Sequence, residues 1–230
     1  MRACVFSDIH GNGPAFRAAS GAIRRQAADL NIFLGDLCGY YFDQLEVFAL
    51  LRELPGLVAL RGNHDQIFLD ILAGDEALRH QYAERYGSSM ENLLASDHIE
   101  LAEWLASLPL SRREADGRFL CCHGSPAENL EGYVYPDTPL ALPAEAGEYL
   151  LLGHTHYRMA RDVEGTAVIN PGSLGQPRDG LAPSFVVVDL AVRQFQYHEV
   201  RYDRESVKRQ LAERGETNGY LLAVLDRVAV

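Results

Sequence analysis

Five of the chain's eight histidines sit in short blocks that also carry aspartate, asparagine or glycine. With a further Gly-Asp pair the blocks are Asp8-Ile9-His10, Gly35-Asp36, Gly62-Asn63-His64-Asp65, Cys122-His123-Gly124 and Gly153-His154-Thr155-His156. Carboxylate and carboxamide oxygens together with imidazoles suit Mn, Fe or Zn, whereas a closed structural zinc site calls for thiolates. In a D-x-H or H-x-H pair at a strand end, residues i and i+2 lie on one side, so both donors reach one small volume. A carboxylate can bridge two ions, and two metals about 3.5 to 4 Å apart can polarise a phosphoryl group and lower the pKa of a shared water. Singly, each block is as well explained by a solvated turn. Five in this order, each after a strand, point to metal-dependent hydrolysis.

The elements that must position these blocks follow from periodicity. Residues 2–7, 30–34 and 57–60 read as buried strands, separated by helical patterns over 14–28 and 42–54. This is β-α-β-α-β with strand ends about 27 residues apart, close to the roughly 30 of a right-handed crossover unit, so parallel pairing is expected. The first three blocks then fall at the carboxyl ends of parallel strands, where open α/β sheets place ligands. From 66 to 108 the pattern is helical, with Ser96 as the expected N-cap of the helix that starts at 99. Beyond Pro109 it is mainly β, with a hairpin at Asp116-Gly117, strands over 149–152, 158–161, 167–169, 185–190 and 194–200, and a helix from an Asp203 cap to Arg214. One α/β domain over 1–230, with a helical cap or insertion at about 66–108, is the simplest account.

Composition narrows the classes. Hydrophobic residues make up 47% and charged residues 23% of the chain, which excludes disorder and collagen. The formal charge of -11 repels duplex nucleic acid and anionic membranes, disfavouring a DNA nuclease. No apolar run approaches the roughly 20 residues of a membrane span, and the acid at Asp8 comes too early for a signal peptide, so a cytoplasmic location is expected. Cys4, Cys38, Cys121 and Cys122 have no disulfide spacing and read as reduced thiols in strands.

On the five blocks, the sequence resembles the calcineurin-like metallophosphoesterase superfamily, whose signature is D-x-H, G-D, G-N-H-[DE], a histidine block and G-H-x-H. With Asn170-Pro171-Gly172-Ser173 and Gln176-Pro177-Arg178 the resemblance extends over nearly the whole chain and points to the compact bacterial and archaeal branch. It implies a four-layer α-β-β-α sandwich of two mixed sheets, with the metals at the sheet edge. It implies one ion held by Asp8, His10, Asp36 and His156 and a second held by Asp36, Asn63, His123 and His154, with Asp36 as the bridge. Mn is the expected metal, Fe and Zn the alternatives. His64 is then the general acid or leaving-group stabiliser, with Asp65 as its expected partner. Protein Ser/Thr phosphatases of the superfamily carry G-D-x-x-D-R-G, whereas here the run is Gly35-Asp36-Leu37-Cys38-Gly39-Tyr40, without the acid that orients the catalytic histidine in those enzymes.

The Gly-Asp-x-x-Gly-Tyr run and His123-Gly124-Ser125-Pro126 resemble a subgroup labelled diadenosine tetraphosphatase-like. The resemblance implies hydrolysis of a phosphoester or phosphoanhydride bond in a small nucleotide-type substrate. Phosphoprotein phosphatase and a non-catalytic scaffold are the alternatives. Tyr40, Tyr41, Tyr133 and Tyr135 are candidates to stack on a base, and Arg178 is the candidate cation for a second phosphate, ahead of Arg61 and Arg158. The acidic far field does not oppose such a substrate, because two divalent ions outweigh the charge of Asp8 and Asp36 locally. Oligomeric state is not legible at this level.

Overall fold

The computed structural model describes residues 1–144 and 146–227. Three short apolar runs, β1 (Arg2–Phe6), β2 (Leu30–Phe33) and β3 (Leu57–Ala59), pair in parallel through α1 (Gly13–Arg25) and α2 (Gln44–Arg52). Asn12 accepts a hydrogen bond from the Ala15 N–H at 3.1 Å, and Pro14 occupies the first turn of α1. Four helices follow β3: α3 (Asn63–Leu72), α4 (Glu76–Tyr86), α5 (Ser89–Leu94) and α6 (Ile99–Ser107). Ser96 does not cap α6 as expected. Its hydroxyl donates back to the Leu93 carbonyl at 2.6 Å, and His98 occupies the cap position.

The chain then enters a second sheet with β4 (Ser111–Glu114), β5 (Phe119–Cys122), β6 (Tyr149–Leu151), β7 (Arg158–Val163) and β8 (Thr166–Pro171). Its order is β4-β5-β6-β8-β7, with β5, β6 and β8 parallel and the two edge strands antiparallel. β9 (Ser184–Asp189) and β10 (Gln194–Glu199) return to complete the first sheet in the order β10-β9-β1-β2-β3. The fold is thus an α/β sandwich of two mixed five-stranded sheets.

Burial on both faces explains why the β1 run is apolar throughout instead of alternating. Ala3 and Val5 meet Phe119, Cys121, Leu151 and Ile169 between the sheets, while Cys4 and Phe6 face Phe16, Val47, Phe68 and Leu105 of the helical layer. The far face of the second sheet, with Leu120, Leu150 and Val168, is covered by Val134, Leu140 and Leu142 of the irregular segment 124–144. All four cysteines are free and buried, but Cys38 lies in the loop after β2 and not in a strand.

Asp203 caps α7 (Arg204–Glu213), accepting from the Ser206 N–H at 3.3 Å. A further helix that the sequence pattern did not announce, α8 (Gly219–Asp226), joins α7 in packing on Tyr40, Tyr41 and Phe42. The C-terminal helices therefore brace the loop that follows β2. Among the described residues, no helix is long and apolar enough to cross a membrane.

Candidate active site

Every parallel strand delivers site residues to one edge of the sandwich. Asp8 and His10 follow β1, Asp36 follows β2, and Asn63 and His64 open α3 after β3. His123 follows β5, His154 and His156 follow β6, and Gln176 and Arg178 lie beyond β8. The i, i+2 pairs converge by a different device from the expected strand pleat, because β1 stops at Phe6 and β6 at Leu151. Asp8, His10, His154 and His156 instead take left-handed backbone with φ of 55, 52, 65 and 62°, and Asp36 and Tyr40 do so at 64 and 52°. Each such non-glycine residue costs roughly 1–2 kcal/mol, so the surroundings must hold it. Inter-loop hydrogen bonds do this: Ile9 N–H to Asp36 O at 2.9 Å, Gly11 N–H to Leu37 O at 2.8 Å and Gly153 N–H to His123 O at 2.8 Å.

Ligand atoms of Asp8, His10, Asp36 and His156 all lie within 4.8 Å of one another. His156 Nε2 is 3.0 Å from His10 Nε2 and 3.3 Å from Asp8 Oδ1. Asp36 Oδ2 lies 3.6 Å from His10 Nε2 and 3.3 Å from His123 Nε2, which puts one oxygen beside two groups of donors. In the second group Asn63 Oδ1 is 3.1 Å from both His123 Nε2 and His154 Nδ1. His10, His123 and His156 each direct Nδ1 at a backbone carbonyl, of Cys38, Leu34 and Gln176, at 2.8, 2.9 and 2.7 Å. That bond places a proton on Nδ1 and turns Nε2 inward.

Asp8 Oδ1, Asp36 Oδ2 and His154 Nε2 are buried with no hydrogen-bond partner. Buried acceptors left without hydrogen bonds are costly unless a cation lies between them. The residues therefore fit a divalent metal centre, and the oxygen and imidazole set suits a borderline ion. Burial, reinforced by neighbouring imidazoles, holds His10 and His154 below the usual imidazole range, the latter at about 3, and burial with the nearby Arg178 lowers His156. His123 behaves differently. Burial opposes its charge, but the Asp36 carboxylate beside it prevails and raises it to about 9.

The expected pairing of His64 with Asp65 is not formed. Consecutive residues at the start of a helix point about 100° apart, and the Asp65 carboxylate accepts from the backbone N–H groups of Asp36, Cys38 and Gly62 at 2.9, 2.9 and 3.0 Å. Asp65 thus clamps the loop after β2 to the loop after β3. His64 Nδ1 instead lies 2.9 Å from the hydroxyl of Tyr82 on α4. Gly62 has its own reason to lack a side chain: a Cβ there would lie 2.1 Å from Asp36 Oδ1.

Above these groups opens a cavity of about 500 Å³. Its floor holds Asp36, Asn63, His64, His154 and His156, with Arg178 in the wall. Arg178 donates to the Tyr40 hydroxyl at 2.9 Å and to Gln176 Oε1 at 3.1 Å. Arg158 pairs with Glu199 at 3.0 Å, and Arg61 donates to Gln66 Oε1 and the Leu108 carbonyl, so neither second-rank arginine serves the cavity.

Tyr133 is 51% exposed at the mouth, with its ring 4.2 Å from that of His154 and stacked on Tyr135. Tyr40 lines the cavity but is 1% exposed, packed against His10, His64 and Tyr86, and offers no free face to a base. Tyr41 is fully buried among residues of α7 and α8. The sequence reading missed the α4 wall of Leu78, Gln81, Tyr82, Arg85 and Tyr86. Their i, i+3, i+4, i+7, i+8 spacing was the available signal, since it marks one helix face on which two tyrosines, a glutamine and an arginine replace the aliphatics of a core stripe.

A family model described as the calcineurin-like phosphoesterase superfamily domain matches residues 1–193. An uncharacterized protein of Methanocaldococcus jannaschii is 28% identical over 222 residues, covering 86% of this chain and 87% of its own length. A protein of Methylococcus capsulatus named symmetrical bis(5'-nucleosyl)-tetraphosphatase is 31% identical over 135 residues, which cover 57% of this chain and under half, 46%, of that protein. Among solved structures, a metallophosphoesterase from Sphaerobacter thermophilus superposes with a TM-score of 0.80 at 27% identity over 99% of both chains. A protein of Pyrococcus horikoshii OT3 reaches 0.85 at 22% identity over 97% of both, a likeness of fold.

Proposed function

The chain belongs to the calcineurin-like phosphoesterase superfamily, and from that premise we propose that it is a dinuclear-metal-dependent hydrolase of a phosphoester or phosphoanhydride bond in a small nucleotide. The observation that carries this reading is the buried set of unpartnered acceptors, Asp8 Oδ1, Asp36 Oδ2 and His154 Nε2, of which Asp36 and His154 line the floor of an open cavity. Asp8, His10, Asp36 and His156 would hold one ion and Asp36, Asn63, His123 and His154 the other. Two divalent ions held there, Mn by preference, would supply charge against the phosphoryl oxygens and would bring a water's pKa toward neutrality.

The chain's own groups divide the remaining work. Arg178, steadied by Tyr40 and Gln176, presents a fixed cation to a phosphate oxygen. His64 stabilises the departing oxygen from the floor. Tyr86 and Tyr133 supply aromatic surface for a base. A volume of about 500 Å³ falls within the 300–1,000 Å³ usual for small-molecule sites, large enough for a nucleotide. The name of the Methylococcus relative, a bis(5'-nucleosyl)-tetraphosphatase, supports the same substrate class.

The test is a hydrolysis panel of phosphomonoesters, phosphodiesters, cyclic nucleotides and dinucleoside polyphosphates, with and without Mn, beside metal analysis and His64→Ala. Mn-dependent turnover of a nucleotide, reduced about 10²- to 10⁴-fold in His64→Ala, is expected. Two bound metals with no turnover on any substrate would reject the enzyme in favour of a scaffold.

A further inference from the structure

Tyr82 stands on α4, far in sequence from every block of site residues, yet its phenol reaches the imidazole of His64. The phenol oxygen lies 2.9 Å from Nδ1, and the two rings meet edge to face with centroids 5.7 Å apart. Tyr82 is 2% exposed, so this contact is buried. A phenol hydroxyl can donate as well as accept, so its proton is available to Nδ1. Gly39, at φ +101°, makes room for the pair: a Cβ there would lie 2.7 Å from the phenol oxygen and 2.8 Å from His64 Nδ1. The carboxylate next to His64 in sequence is no competitor, because Asp65 is held by three backbone N–H groups.

We propose that Tyr82 is the positioning residue of His64, its hydroxyl donating to Nδ1 and thereby fixing the tautomer that carries its proton on Nε2. A carboxylate at this place would accept from Nδ1–H and draw a proton onto that nitrogen. A neutral phenol, unlike a carboxylate, has a proton of its own to give to Nδ1. Nε2–H becomes the group left for the cavity that His64 lines. His64 then serves the departing oxygen as a hydrogen-bond donor of the oxyanion-hole kind, a role that rests on the phosphoesterase reading above. Docking of α4 is thereby a condition for a competent histidine, and the helical segment completes the site as well as covering it.

Tyr82→Phe keeps the ring and removes only the oxygen. Nitrogen–proton correlation spectra of the His64 ring in the metal-free protein read the tautomer directly. Wild type is expected to carry the proton on Nε2, and Tyr82→Phe to shift population toward Nδ1–H. A wild-type ring protonated on Nδ1 alone, or an unchanged tautomer in the variant, overturns the proposal whether or not a substrate has been found.

In kinetics, kcat is expected to fall about 10- to 100-fold on an ester with a poor, alkoxide-like leaving group. KM should hold, and the loss should be several-fold smaller on a p-nitrophenyl ester, whose leaving oxygen needs less help. Tyr82→Phe equal to wild type on both esters, with His64→Ala impaired, overturns the positioning role and leaves the phosphoesterase reading standing. No turnover by wild type of either ester or of any substrate in the panel above removes that reading, and the tautomer spectra then decide on Tyr82 alone.

Discussion

At the scale of residues, the charge balance turns on Asp36 Oδ2, which lies beside His10 and His123. His123 titrates at about 9 in the metal-free fold, against 6.5 for a free imidazole. A folded pKa above the unfolded one gives stability that is complete below pH 6.5 and lost as pH rises through 9, at most about 3 kcal/mol from this group. The melting temperature of metal-free protein should therefore decline across that window, and His123→Gln should flatten the decline. A cation must displace the same proton, so metal affinity measured by calorimetry should rise by up to about tenfold per pH unit toward pH 9, with proton release to the buffer. The ligand blocks were legible because each metal-type residue stands a few positions beyond a strand end. The work of Asp65 was not, since it neighbours His64 in sequence but turns away to bind three backbone amides. Asp65→Ala would leave those amides buried and unpaired and is expected to destabilise by about 3 kcal/mol or more in urea denaturation.

At the scale of elements, helical periodicity located α3 to α6 between the two halves of the chain, but it could not say which face of α4 meets the cavity. A stripe of tyrosine, glutamine and arginine looks like a solvated face until the loops after β2, β5 and β6 are placed opposite it. Tyr86→Ala tests that face: KM for a nucleotide should rise by about 5- to 100-fold, with little change for a small phosphate ester lacking a base. α8 escaped notice because Gly219 and Tyr220 start it and its eight residues fall short of a clear periodic pattern. Left-handed backbone at Asp8, His10, His154 and His156 was equally hidden, because nothing in a D-x-H or H-x-H motif distinguishes a pleat from a pair of left-handed turns.

At the scale of the whole molecule, repeat spacing foretold parallel β-α-β units, but two face-to-face sheets followed from the family resemblance alone. Apolar runs of four or five residues are the same whether a strand is covered by helices or by a second sheet. The candidate metal centre joins loops from both sheets, Asp8, His10 and Asp36 from one and His123, His154 and His156 from the other. Chelation should thus loosen the whole sandwich: at metal concentrations about 1,000-fold above Kd each bound ion contributes about 4 kcal/mol, and stripping even one should lower Tm by roughly 8–16 °C. An unchanged Tm after verified metal removal would mean that the sheets hold this edge without help. The burial of all four thiols has a practical side. Burial pushes Cys4 up to about 11 and Cys122 to about 12, so the native surface is inert to maleimides. Gln81 is exposed on the cavity face of α4, and Gln81→Cys would therefore accept a fluorophore at one defined place, turning the enzyme into an optical reporter of whatever enters the cavity.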